Sequence, residues 1–303
     1  MKMRPLGKTG MTVSALGYGT AELGYLGVPQ GECDRILGAL LDHGLNVIDT
    51  ASSYMDAEEK VGRAIAARRE EFVLVSKGGQ AIAETGAPAW SDKAVHQEAE
   101  RSLRRLRTDH LDLLLLHSCP VAELRNDRMI EALLRLKDAG MTRWIGYSGD
   151  GANLSHALGM GVFDCIETSV SLCDQQGIAA QLPEAGRLNL GVLTKRSVAN
   201  SCWRDLGKDA AFYSEYAEPY AKRLRAMGLS PESVGFDGSW MELALRFTAF
   251  QAHVHVALVG GRTLEHLLED IRILDQGPLP EEVVRALRDR WKEHDDGTWV
   301  GQT

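Results

Sequence analysis

An aspartate and a tyrosine, Asp49 and Tyr54, follow the β-branched pair Val47 and Ile48. A lysine, Lys77, comes after the apolar run 72–76, and a histidine, His117, after the run 110–116. Runs of this length and composition read as buried strands, and a strand needs no titratable residue at its end. Singly, each has an ordinary explanation: Asp49 is a turn or cap residue, and Tyr54, near Asp56 and Glu58, is a rim aromatic. Together they bring an anion, a phenol, a cation and an imidazole to successive strand ends, a set suited to proton transfer.

The elements that must position these residues recur in a regular order. Glycines 7 and 10 between short mixed segments predict an N-terminal β-hairpin over 3–14. Strands are expected at 15–19, 46–49, 72–76, 110–116, 142–147, 165–171, 191–194 and 254–259. Helical spacing or capping residues predict intervening helices at 31–43, 56–69, 91–107, 121–139, 174–187 and 239–250, one starting at Thr263, and a last one at 281–294. On helix 91–107, Arg101, Arg104 and Arg105 read as a solvated face rather than a phosphate site. The insertion 197–238 includes Trp203, which with Trp90 falls on loops expected at the active rim, where each lines a pocket or simply packs.

Strands alternating with helices, without a linker-like tract, predict an α/β fold: a single (β/α)8 TIM barrel spanning 1–303, preceded by the hairpin. A doubly wound sheet is disfavoured because Gly17, Gly19 and Gly24 lack the Gly-x-Gly-x-x-Gly spacing. Barrels build their sites at the C-terminal ends of the strands, the ends that carry Asp49, Lys77 and His117.

Composition narrows the partners. A net charge of −8 over 303 residues excludes nucleic acid or an anionic membrane as the main partner, since phosphate contacts need concentrated positive charge. Five cysteines without a Cys-x-x-Cys pair predict reduced thiols in the cytoplasm, with neither a disulfide framework nor a structural zinc site. After Lys2 and Arg4 the chain runs into Pro5, Gly7, Lys8 and Gly10 instead of an apolar signal core, and no segment approaches the length of a membrane span. His253 and His255 share one face of an expected strand but lack a third ligand, so no metal site is expected.

On Asp49 and Tyr54 with Ile48-Asp49-Thr50-Ala51, Lys77 after Ser76, and His117 after Leu115-Leu116, the sequence resembles the aldo-keto reductase family over roughly residues 4 to 275. The resemblance implies reduction of a small carbonyl compound by hydride transfer from NADPH. Tyr54 would be the general acid, Lys77 would lower its pKa, Asp49 would orient Lys77, and neutral His117 would donate to the substrate oxygen. It further implies that Gly19 and Thr20 lie near the nicotinamide ribose and that Ser148 holds the carboxamide. Three positions depart from the family pattern: Gly149 replaces an asparagine, Glu167 a glutamine, and Lys195 a stacking aromatic. Lys195, beside Arg196, would neutralise pyrophosphate or an acidic substrate, pair with Glu167, or form a structural salt bridge between strand ends. Gly260, Gly261, Arg262 and Thr263 before a helix suit an adenosine 2′-phosphate and so predict NADPH over NADH. Toward the adenine, Glu269 and His266 match, with Asp270 in place of an asparagine. A non-catalytic or very slow NADPH-binding, redox-sensing subunit is the alternative reading, and a barrel hydrolase or lyase using Asp49 and His117 is a third. The sequence leaves the oligomeric state open.

Overall fold

A computed structural model describes residues 1–81, 83, 86–204 and 211–302. Strands β1 (Met3–Pro5) and β2 (Thr12–Ser14) pair antiparallel as the expected hairpin. The next eight, β3 (Leu16–Gly19), β4 (Val47–Asp49), β5 (Val73–Gly78), β6 (Leu111–His117), β7 (Thr142–Ser148), β8 (Cys165–Ser169), β9 (Gly191–Lys195) and β10 (Val256–Val259), run in sequence order around a closed parallel barrel, with β10 pairing to β3.

The two-residue period of a strand sets the position of every candidate side chain. Val47, Val75, Leu115, Cys165 and Leu193 belong to the cluster that fills the barrel interior. Their neighbours Ile48, Leu74, Leu114, Ile166 and Val192 pack outward with the helices. Two residues beyond each inward position come Asp49, Lys77, His117, Glu167 and Lys195; four of them are the uppermost inward side chains of their strands, while Glu167 is followed by Ser169 in β8. Gly17 leaves room for its neighbours: a Cβ there would approach Leu258 Cδ2 to 2.7 Å and Val47 Cβ to 3.2 Å. Hairpin residues Leu6 and Val13 join the interior cluster from the other end. Leu6 lies against the start of β9, where a Cβ on Gly191 would meet its Cγ at 2.8 Å.

Several helices differ from expectation. The predicted helix 121–139 is two, Val121–Leu124 and Asp127–Asp138, because Asn126 is extended (φ −81°, ψ 95°) and its amide donates to the Trp90 carbonyl at 3.5 Å. The predicted helix 174–187 divides at Ala180 into Gln176–Ala179 and Gln181–Arg187. Helix Gly151–Met160 was not anticipated; its glycines and uncapped start hide it from periodicity. Within the insertion 197–238, residues 205–210 lie outside the described residues, and Ala211–Ala226 forms a helix around Pro219. The strand expected to reach 171 stops at Ser169, leaving Ser171 in a turn bridged to Asp174. His253 and His255 precede β10 rather than share its face, and the His255 ring accepts from the Val192 amide at 3.0 Å. No metal-binding cluster occurs among the described residues. None of their helices is long and apolar enough to cross a membrane.

Candidate active site

Lys77 is the centre of the strand-end ring. Its ammonium, fully buried, donates to both Asp49 carboxylate oxygens at 2.6 Å and to the Thr50 carbonyl at 3.1 Å. A second buried carboxylate, Glu167, reaches in from across the barrel to 3.4 Å. Burial opposes the ammonium, but Asp49 and Glu167 outweigh it and hold Lys77 charged. Burial and the adjacent Glu167 push Asp49 well above the usual carboxylate range, against the pull of Lys77. Two acids therefore compete for one cation.

Tyr54 lies beside this group, with the Lys77 ammonium 5.3 Å from its ring centroid. Its ring meets His117 edge-on at 5.7 Å and Tyr25 at 5.9 Å. Sequence reasoning gave Tyr25 no role; no motif marks it, and it reaches the site by donating to the Ser53 carbonyl at 3.1 Å. Lys77 acts on the phenol in the expected direction, but it is outweighed. Burial raises the Tyr54 pKa, Lys77 lowers it, and Asp49 and Glu167 raise it again, for a net shift upward.

His117 is neutral: burial lowers its pKa well below the ordinary histidine value, and Lys77, Lys195 and Arg196 lower it further. Ser53 Oγ lies 3.4 Å from its Nδ1. With that hydroxyl as donor, the ring proton resides on Nε2.

Around the rest of the rim, Ser148 donates to Glu167 Oε1 at 3.2 Å. Glu167 Oε2 and Thr20 Oγ1 are buried with no hydrogen-bond partner among the described residues. Lys195 pairs with Asp150 at 3.1 Å and not with Glu167, so the structural salt bridge is the arrangement found. Asp150, which the sequence did not single out, also accepts from Ser169 N at 2.7 Å and Thr168 Oγ1 at 2.8 Å. Burial would raise its pKa, but Lys195 and these donors hold it below the usual aspartate range. Arg196 donates to the Gln302 carbonyl and, at 3.4 Å, to the Tyr220 hydroxyl. Gly149 has a local cause: a Cβ there would stand 2.5 Å from the Tyr147 hydroxyl, which is itself held by the Cys119 carbonyl at 2.7 Å.

The loop tryptophans pack. Trp90 lies over Gly79, whose added Cβ would meet the ring at 2.8 Å, and Trp203 stacks on Trp240 at 5.4 Å. Arg101 and Arg105 are not a solvated face: they donate to the carbonyls of Ser52 at 3.0 Å and Met55 at 3.1 Å, in the loop that carries Tyr54.

A family model, Aldo/keto reductase family, matches residues 15–292. The chain belongs to this family. Its members are oxidoreductases that act on carbonyl compounds with a nicotinamide cofactor. Among relatives, the chain is 29% identical over 304 residues to the uncharacterized oxidoreductase YqkF of Bacillus subtilis (strain 168), covering 97% of each. It is 28% identical over 249 residues to the NADH-specific methylglyoxal reductase of Escherichia coli (strain K12), covering 67% of this chain and 75% of that one. Among solved structures, aldo-keto reductase AKR11C1 from Bacillus halodurans in its holo form superposes with a TM-score of 0.80 at 26% identity, covering 96% of both chains.

In this member of the aldo/keto reductase family, the residues matched to the adenine end of the cofactor are spread along one helix. Gly260 and Arg262 are exposed, and Thr263 precedes helix Leu264–Asp275 without a side-chain cap. His266 and Glu269 are exposed, Glu269 pairing with Arg272 at 2.9 Å. Asp270 is buried, and desolvation with Glu269 nearby pushes it up to about 7.

Proposed function

We propose that the protein reduces small aldehydes or ketones with NADPH, Tyr54 delivering the proton. The carrying observation is the convergence of Tyr54 and His117 beside Lys77, itself locked between Asp49 and Glu167. When bound, the nicotinamide supplies the hydride. The alkoxide left on the substrate is more basic than a phenolate, so even a phenol of raised pKa can protonate it. His117, neutral and with Nε2 as donor, hydrogen-bonds the carbonyl oxygen as negative charge develops there. Lys77 then stabilises the Tyr54 phenolate, and Asp49 holds the ammonium in place.

The residues that would hold the dinucleotide suit it. Thr20 Oγ1 is buried with no hydrogen-bond partner among the described residues, so a ribose hydroxyl would satisfy it, and Glu167 Oε2, 3.4 Å from the Lys77 ammonium, can accept a carboxamide N–H as well. Gly19 continues the same turn, and Ser148 is within reach of Glu167. Arg262 and the free amides ahead of helix Leu264–Asp275 would take the 2′-phosphate, while Glu265 is occupied by Arg35 at 3.4 Å. Lys195 and Arg196, engaged by Asp150 and Gln302, contribute positive potential near His117.

Turnover of methylglyoxal and a panel of aldehydes, with NADPH and NADH titrated by fluorescence, tests the proposal. Arg262→Ala is expected to weaken NADPH by about tenfold or more and to leave NADH unchanged, the scale of a lost charged hydrogen bond. Equal affinity of the parent for both cofactors would remove Arg262 from the phosphate role. Tight binding with no hydride transfer to any carbonyl would favour the redox-sensing alternative.

A further inference from the structure

Helix Asp92–Leu106, which lies outside the ring of strand-end residues, sends a carboxylate into the loops that hold them. Glu98 is 1% exposed, and its Oε2 accepts from the Gly79 amide at 2.5 Å and from Ser52 Oγ at 3.4 Å. Gly79 is two residues past Lys77, and Ser52 two residues before Tyr54. The approach is close enough to constrain Gly78, where a Cβ would stand 2.9 Å from Glu98 Oε2. One turn along the helix, Arg101 donates to the Ser52 carbonyl at 3.0 Å, and the Ser52 amide donates to the Lys77 carbonyl at 3.0 Å. Ser91 fixes the helix by accepting from the Ala94 amide at 3.0 Å, so the helix is a rigid base for these contacts.

We propose that Glu98 is a positioning residue: its carboxyl joins the Ser52 and Gly79 loops and thereby sets where Tyr54 stands relative to Lys77. This rests on the carbonyl-reductase reading for its consequence, though not for the contact itself. A buried acid at this place is costly if it serves packing alone. Glu98 Oε1 has no hydrogen-bond partner among the described residues, and a leucine would fill similar space without an orphaned oxygen. Glu58, a second buried acid, faces it from the neighbouring helix Ala57–Ile65 and is held by Ser76 Oγ at 2.8 Å; Arg101 faces it from its own helix.

The protonation of Glu98 provides a readout that packing would not move. Burial pushes its carboxyl up to about 7, with the Gly79 amide, Ser52 and Arg101 pulling down and Glu58 pushing up. Above that pH the ionised carboxylate accepts more strongly and grips both loops; below it the neutral acid holds them less firmly. Stability runs the other way. A carboxyl whose folded pKa lies above its unfolded value favours the fold most when protonated, and that contribution is lost as pH rises from about 4.5 to about 7.

The decisive variant is Glu98→Gln, which keeps the shape and an acceptor but cannot ionise. In the parent, kcat is expected to rise about fivefold with pH around a midpoint near 7, the difference between a charged and a neutral hydrogen bond. In Glu98→Gln that step is absent and kcat at pH 8 is about fivefold low, with KM within about twofold and a Tm no lower than the parent's. Hydrogen exchange at residues 50–56 reads the loop directly and is expected to quicken in the variant at pH 8. Ser52→Ala, which removes one contact, should move both readouts the same way by about twofold and serves if Glu98→Gln does not fold. Parental kcat at pH 8, a retained step near 7, or unchanged exchange would each overturn the proposal. A parent that turns over no carbonyl compound would instead overturn the reductase reading, and the exchange measurement would still decide the role of Glu98.

Discussion

The two halves of the rim handle charge differently. On the β4–β6 side, Asp49, Lys77 and His117 close around Tyr54, and the Lys77 cation is shared by two buried acids. On the β7–β9 side, Lys195 lies along the rim in a pair with Asp150, which already has donors from Thr168 and Ser169, and Arg196 is covered by Gln302. Both halves use the same device, the last inward position of a strand, yet only the first leaves its cation electrostatically contested. Glu167 connects them: its backbone belongs to the second half and its charge acts on the first. A carboxylate of one half thus bears on the phenol of the other.

That contrast can be broken at three points. Tyr54→Phe should have the largest effect, a loss of about a hundredfold to ten-thousandfold in turnover with the fold retained; activity near the parent's would remove Tyr54 as proton donor. Glu167→Gln is next. Removing one negative charge lets Lys77 act on Tyr54 less opposed, so the basic limb of the pH–rate profile should move down by about one unit. An unmoved limb would mean that the halves are electrically independent. Lys195→Met should change turnover least, by about twofold, and express itself in stability. Asp150 is held below the usual aspartate range, so its stabilising contribution is present above that range and is lost on acidification through the folded pKa. The variant should be less stable near neutrality by about 1 to 3 kcal/mol, with a shallower acid dependence in thermal melts. A tenfold fall in turnover would instead place Lys195 in the chemistry.

The strands and their end residues were legible because a two-residue period and β-branched runs are local signals, and four polar residues at successive strand ends are conspicuous among apolar neighbours. Helices with strong caps were legible too, as Ser91 and Ser239 illustrate. The break at Asn126 and the helix Gly151–Met160 were not, since the first depends on a hydrogen bond to the distant Trp90 carbonyl and the second begins without a capping signal.

From the sequence alone came the barrel, the hairpin before it, and the inward column that ends in Asp49, Lys77 and His117, because alternation along a strand needs no knowledge of what packs opposite. Tertiary structure alone decided the partners. Glu167 and Lys77 are far apart in sequence and meet only when the barrel closes, Lys195 takes Asp150, and Gly149 yields its space to Tyr147. Charge pairing and steric exclusion act through space at a few ångströms, and only the closed barrel sets those distances.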